Sequence, residues 1–345
     1  MSVNLIAIEN DLDEGMSYYC RIPGAGIYHR PDYLSYLQKH YYRDSTGHIL
    51  IYEEGDMFIY YPFFKRPVIV NDNVSDYYDI TSSWYYGGVL AGGGSSPDDR
   101  FIFAFDDVLQ EMCLAEHIVA GFDRLDPNLE NHHLYRNMNC ELMENRQTVY
   151  VDLEQDESEL WKGLHESRRR NIRKAQDRGV AVETTEDEGD WMQFWEIYNS
   201  EMLRKDSVDR LRFTKESFLD LRKDLSAGAK LLVARNSNVI GGFLMLHDGR
   251  IGHHFLSASM PEYWEHKVND ILFYSAVLSA KNLGCGTFDF QGGRHGVYEF
   301  KRKFSNERKT FYTIPRVYDS KQYDLIVNEA GNDANGYFPA YRVEG

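Results

Sequence analysis

The stretch Glu159-Leu-Trp-Lys-Gly-Leu-His-Glu-Ser-Arg-Arg-Arg-Asn-Ile-Arg-Lys-Ala-Gln-Asp-Arg178, closed by Gly179, is the most informative in the chain. Leu160, Trp161, Leu164, Ile172 and Ala175 recur at helical spacing, and Gly179 stands where a C-terminal cap belongs, so the sequence predicts one long helix. From Lys162 to Arg178 it carries seven cations against two acids, in a protein of net charge −16. Such a helix is either a solvated face whose cations offset its own dipole or an anchor for phosphates or an RNA backbone. In the second reading Arg169 and Arg173 are the anchoring candidates. A second basic cluster, Arg294 to Lys309, holds six cations and two acids.

Outward from this helix, the two halves of the chain read in the same order. The first half gives a hairpin, Ile49 to Tyr52 and Met57 to Phe64, then a helix from Asp99 to Ala115 and a strand from Ile118 to Phe122. The second gives a hairpin about Asn236-Ser237-Asn238, a strand from Ile251, a helix from Lys267 to Asn282 and a strand from Thr287 to Phe290. The helices and final strands are offset by about 170 residues, the hairpins by slightly more, as in a structural repeat. At roughly 150 residues per domain, 345 residues suit two α+β units. The expected boundaries are 1–155 and 156–314, with 315–345 a candidate to return to the first unit.

Composition narrows the classes. The acidic total argues against nonspecific nucleic-acid coating. No apolar run approaches the roughly 20 residues a membrane span needs, and Met1 to Glu14 lack the form of a signal peptide, so the expected location is cytoplasmic. Cys20, Cys113, Cys140 and Cys285 lie far apart, as reduced thiols do, and neither His132-His133 nor His253-His254 has further metal-ligand spacing. No metal is expected.

Four segments together resemble a known pattern. Arg168 to Val182 resembles the "RRNIRKA…GV" segment of FemABX-like proteins, a branch of the GNAT acyltransferase superfamily built from two tandem GNAT-like domains. Phe288-Asp-Phe-Gln-Gly-Gly293 resembles the family's "YDFGG" strand end, and Tyr298-Glu-Phe-Lys-Arg-Lys-Phe304 its "(Y)xFKxxF" motif. The loop Asp79 to Gly88, with Tyr86, matches a "D…YGG" element of the first domain. The resemblance spans Tyr28 to Val317 and implies an α+β fold of two tandem GNAT-like domains. It implies N-acyl transfer from aminoacyl-tRNA or acyl-CoA, neither held as a resident cofactor, to a small-molecule or precursor amine. Acceptors in the family include cell-wall, polysaccharide and peptide precursors, and cell-wall biogenesis is one expected role. Alternatives are an acyl-CoA-dependent enzyme acting on an amino sugar or secondary metabolite, and a catalytically silent module that binds an envelope precursor or tRNA.

The resemblance places Lys301 beside the donor. Aminolysis of an ester or thioester builds negative charge on the carbonyl oxygen, which a fixed ammonium stabilises. Phe300 and Tyr298 are the neighbouring wall candidates, and Lys303 is the rival lysine if the segment is a strand. Asp79, His254 and Asp289 are conceivable acceptors for the amine's proton. Arg204 falls near the family's second-domain arginine, whereas Leu37 stands where muropeptide-binding members keep a lysine, with Lys39 nearest. GNAT enzymes hold the CoA pyrophosphate on an [R/Q]xxGx[G/A] loop between strand and helix. Arg21 to Gly26 fits those letters without a leading strand, and Gln176 to Ala181 fits them at a helix end. Gly92 to Gly94 read as a flexible turn before the helix at Asp99.

Overall fold

A computed structural model describes residues 1–207, 211–331 and 337–342. Two compact units emerge, one of residues 1–146 with 310–345 and one of residues 147–309. The first half of the chain runs β1 (Ser2–Ala7), α1 (Leu12–Tyr19), α2 (Pro31–His40), β2 (Thr46–Glu54), β3 (Met57–Val70), β4 (Asn73–Thr81), β5 (Leu90–Gly92), α3 (Asp99–Ala115), β6 (Ile118–Arg124), α4 (His132–Tyr135) and β7 (Met143–Asp152). It continues through α5 (Glu157–Gly163), α6 (Glu166–Asp177), β8 (Ala181–Thr185), α7 (Glu188–Arg204), α8 (Lys215–Asp224), β9 (Ala229–Asn236), β10 (Asn238–His247), β11 (Ile251–Ser259), α9 (Val268–Asn282), β12 (Thr287–Gln291), α10 (His295–Lys301), β13 (Glu307–Val317) and α11 (Ser320–Ala330).

Within the first unit the strand order is β1-β2-β3-β4-β6-β13, with β5 on β3; within the second it is β8-β9-β10-β11-β12-β7. Each sheet has one parallel pair, β4 with β6 and β11 with β12, joined through the crossover helices α3 and α9. The repeat read from element order is therefore present as topology. In each sheet the strand beyond that pair comes from outside the repeat: β13 returns to pair with β6, and β7 runs ahead to pair with β12.

Helix α3 forms where the sequence caps it. The Asp98 side chain accepts from the Phe101 N–H at 2.8 Å, and α3 buries Phe101, Ile102, Phe105, Leu109 and Cys113 on one face. Helix α9 places Phe273 against Phe243 at 5.0 Å and Phe290 at 5.5 Å between ring centroids. These rings pack within the otherwise largely aliphatic core of the second unit.

Two sequence expectations change. The long helix Glu159 to Arg178 is two helices, parted at Leu164-His165. The His165 N–H donates to the Lys303 carbonyl at 2.9 Å, and its ring accepts from the Ser167 N–H, which starts α6 anew. Sequence periodicity does not register a break that leaves the apolar face in phase. Gly92 to Gly94 are tightly confined: Gly92 ends β5, and at Gly93 (φ +102°) a Cβ would lie 1.7 Å from the Asp56 carbonyl oxygen.

Gly93→Ala is expected to cost well over the roughly 1–2 kcal/mol of a left-handed alanine, because the Asp56 backbone must also move. Gly249→Ala, equally left-handed at φ +88° but with open space around it, should cost only that conformational amount. Equal losses for the two in urea denaturation would contradict the confinement.

Candidate active site

The parallel pairing of β11 with β12 is short: Ile251, Gly252 and His253 face Thr287, Phe288 and Asp289, and there it stops. Strand β11 runs on to Ser259 and β12 to Gln291, so the two part after His253. A bulge accompanies the parting, since Met245 faces His254 but Leu244 faces Leu256, leaving Phe255 as the extra residue. In the first unit the corresponding place is stitched shut. Pairing there runs to Thr81 with Phe122, and the Ser82 N–H then donates to the Phe122 carbonyl and the Gly87 N–H to the Arg124 carbonyl. Only the second of the two repeats opens between its parallel strands.

The motif Tyr298 to Phe304 borders that opening, and its first part, Tyr298 to Lys301, is helical, followed by a turn, where a basic strand is one reading of the sequence. Helix α10 ends at Lys301, and Phe300 and Phe304, four apart, pack on Phe273 at 5.0 and 5.4 Å. The two-residue ambiguity of a strand thus disappears: one helical step of two residues turns the side chain to the far side. Lys301 is buried, 4% exposed, whereas Lys303 is partly exposed and gives its carbonyl to His165.

The Lys301 Nζ donates to the Gly292 carbonyl at 2.8 Å. Burial pushes its ammonium down to about 7, with the Asp289 carboxylate acting in the opposite sense. Gly293 allows the approach, because a Cβ there would meet the Val297 side chain at 2.9 Å. Behind the lysine, His253 and Asp289 face each other fully buried, Nδ1 to Oδ2 3.6 Å, and Asp289 Oδ1 accepts from the Gln291 N–H at 2.6 Å. The His254 Nε2 lies 2.9 Å from the Ser257 Oγ. Burial, and next the Lys301 charge, hold His254 well below the ordinary imidazole range.

The other sequence candidates fall in different places. Phe300 lies under the Arg168 guanidinium, whose Cζ is 4.8 Å from the ring centre, and the Tyr298 hydroxyl donates to the Gln147 side chain. Arg169 turns back to donate to the carbonyls of Lys162 and Leu164, closing the end of α5. Arg173 is exposed and lies over Trp161 at 5.4 Å. Arg204 forks onto Glu201 and stacks over Trp264. Tyr86 belongs to the first unit, buried beside Tyr28. Asp79, a sequence candidate for the proton acceptor, also belongs there and is clamped by Arg66 at 2.7 Å, Arg342 at 2.5 Å and the Tyr341 hydroxyl at 3.1 Å. That is the setting of a structural carboxylate.

Arg168 and Asp270 escaped the sequence reading. Arg168 Nη1 meets Asp270 at 2.7 Å, and the Asn171 side chain donates to the same carboxylate. Spacing held the clue: Arg168 precedes Ile172 and Ala175 by four and seven residues, on the inward face of α6. Among the described residues no cluster of three or more His, Cys, Asp or Glu could hold a metal, and no helix is long and apolar enough to cross a membrane.

Residues 165–302 match the family described as the acetyltransferase (GNAT) domain. Among solved structures, FemX covers 94% of this chain and 100% of its own at TM-score 0.71 and 13% identity. The C-terminal domain of a putative lysylphosphatidylglycerol synthetase from Agrobacterium fabrum covers 94% and 97% at 0.56 and 13%. L-PGS from Bacillus licheniformis covers 92% and 95% at 0.56 and 12%. No curated protein is matched in sequence. The second unit thus matches the GNAT domain over residues 165–302, and the chain shares the fold of FemX, as the resemblance implied.

Because the unfolded chain keeps Lys301 charged up to its ordinary range near 10.5 and the folded one only to about 7, the unfolded state binds the extra proton between those values. Lys301→Met is therefore expected to be more stable than the natural protein below pH 7, by on the order of a few kcal/mol. The advantage should shrink steadily as pH approaches 10. Parallel pH–stability curves would contradict the buried amine.

Proposed function

We propose that this chain is an N-acyltransferase that draws its acyl group from an aminoacyl-tRNA and passes it to an amine at the opening between β11 and β12. The observation that carries the donor choice is Asp270. In a GNAT domain that binds CoA, the pyrophosphate rests on backbone N–H groups at the start of the helix after the open strand. Here the first turn of α9 holds the buried Asp270 carboxylate, already paired with Arg168. The preceding stretch, Met260 to Lys267, has two glutamates and no glycine. A pyrophosphate does not fit there.

An RNA backbone has a surface of its own. The two basic clusters, over 100 residues apart in sequence, meet through the His165–Lys303 hydrogen bond and through Arg168 stacked on Phe300 and Phe304. Exposed Lys162, Arg170, Arg173 and Arg302 lie on these joined segments. A recess of about 430 Å³ runs along α6, lined by Arg169, Arg170, Arg173 and Lys174 together with Glu166 and Asp177. In this reading Lys301 supplies its ammonium to the carbonyl oxygen as the amine adds. Phe300 and Tyr298 flank it.

Charged tRNA should raise the melting temperature and acetyl-CoA should not; the reverse result would overturn the donor assignment. Replacing Arg170 and Arg173 together by Gln should lower the slope of log affinity against log salt by about 1.4–1.8 while leaving the fold intact. Lys301→Met should cut turnover by roughly 10²–10³ and Lys303→Met far less. A raised KM at unchanged kcat in Lys301→Met would make the lysine a binding group instead.

A further inference from the structure

Residues three apart on a regular strand point to opposite faces. His254 and Ser257 do not: the bulge at Phe255 inserts one residue and turns both side chains to the same side, 2.9 Å apart. The pair sits where β11 leaves β12, with Ser257 partly exposed and His254 9% exposed behind it. The imidazole is boxed in by Phe243 of β10 at 4.8 Å and Phe273 of α9 at 5.1 Å, and it makes a backbone hydrogen bond with Phe290 of β12. Lys301 of α10 is the charged group that faces it. Its neighbour His253 is turned to Asp289 instead.

We infer that Ser257 and His254 form the proton relay of the transfer step, with Ser257 touching the acceptor amine and His254 taking the proton through it. The inference rests on the acyl-transfer reading. As the amine nitrogen bonds to the acyl carbon, it gives one proton to Ser257 Oγ while the serine's own proton passes to His254 Nε2. The acyl–oxygen bond of the donor then breaks, and the proton returns by the same route to the leaving hydroxyl, so none is gained or lost overall. Burial and the Lys301 cation keep the imidazole unprotonated at neutral pH, able to accept. Of the three carboxylate and imidazole candidates, Asp79 is clamped by two arginines and Asp289 is fixed by Gln291 and His253, which leaves His254.

Two measurements test the relay. Nitrogen-15 shifts of His254 in the intact protein should report an unprotonated Nε2 at pH 8 that stays so as pH falls through the ordinary imidazole range. An Nε2–H tautomer, or titration near the ordinary 6.5, would overturn the inference without any assay of turnover. Transfer to glucosamine and to a short lysine-containing peptide is then followed with total aminoacyl-tRNA and with acetyl-CoA, using whichever donor the natural chain accepts. Ser257→Ala and His254→Gln should each lower kcat by 10²–10⁴ with donor KM unchanged, and Ser257→Thr should restore most of the loss. Natural kcat in Ser257→Ala would sink the relay. Turnover of acetyl-CoA alone would sink the tRNA donor and leave the relay standing.

Discussion

Everything at the site depends on the parting of two parallel strands. A β-ladder that stops at His253 and Asp289 while β11 continues lets the two strands part, and the buried His254 side chain, packed on Phe243 and Phe273, lines the parting. The first unit, with the same topology, closes that gap with Ser82, Gly87 and Arg124, so opening is not a consequence of the fold alone. The second unit holds it open with a helix end that inserts a buried amine, anchored to the Gly292 carbonyl through a turn in which a side chain at Gly293 would strike Val297. A buried amine is costly, and such a cost persists where surrounding packing fixes it. Here the fixing comes from Phe300 and Phe304 on Phe273.

Arg168 connects this opening to the basic surface. Its guanidinium touches both rings of the FK helix and neutralises Asp270 at the start of α9. One side chain therefore fixes α10 against α6 and sets a countercharge beside the buried carboxylate in the first turn of α9. Removing it would leave the buried Asp270 carboxylate with the Asn171 side chain and without its ion-pair partner, the situation in which a broken ion pair costs about 3–5 kcal/mol. Exposed Arg170 and Arg173 have no such structural burden, which is why they suit a salt-dependent contact.

Much of this was legible in the sequence. The repeat, helix α3 to its exact residues and the hairpin about Ser237 all follow from period and turn chemistry. The FK segment was less clear because Phe300 and Phe304 fit a helix while Tyr298, Phe300 and Arg302 alternate like a strand; tertiary packing on Phe273 decides. The break at Leu164-His165 depends on the Lys303 carbonyl, a partner 138 residues away that no local pattern encodes. Asp79 looked available as an acid–base group because its arginine partners, Arg66 and Arg342, are distant in sequence. The bulge at Phe255, which pairs His254 with Ser257, is a matter of register between strands and leaves no mark in composition.

Lys301 is a buried amine facing His254 rather than a surface lysine. Selective labelling of the lysine side chains and an NMR titration of the Lys301 Nζ and Cε resonances measures this directly. A midpoint near 7 is expected. A midpoint at the ordinary value near 10.5 would contradict it.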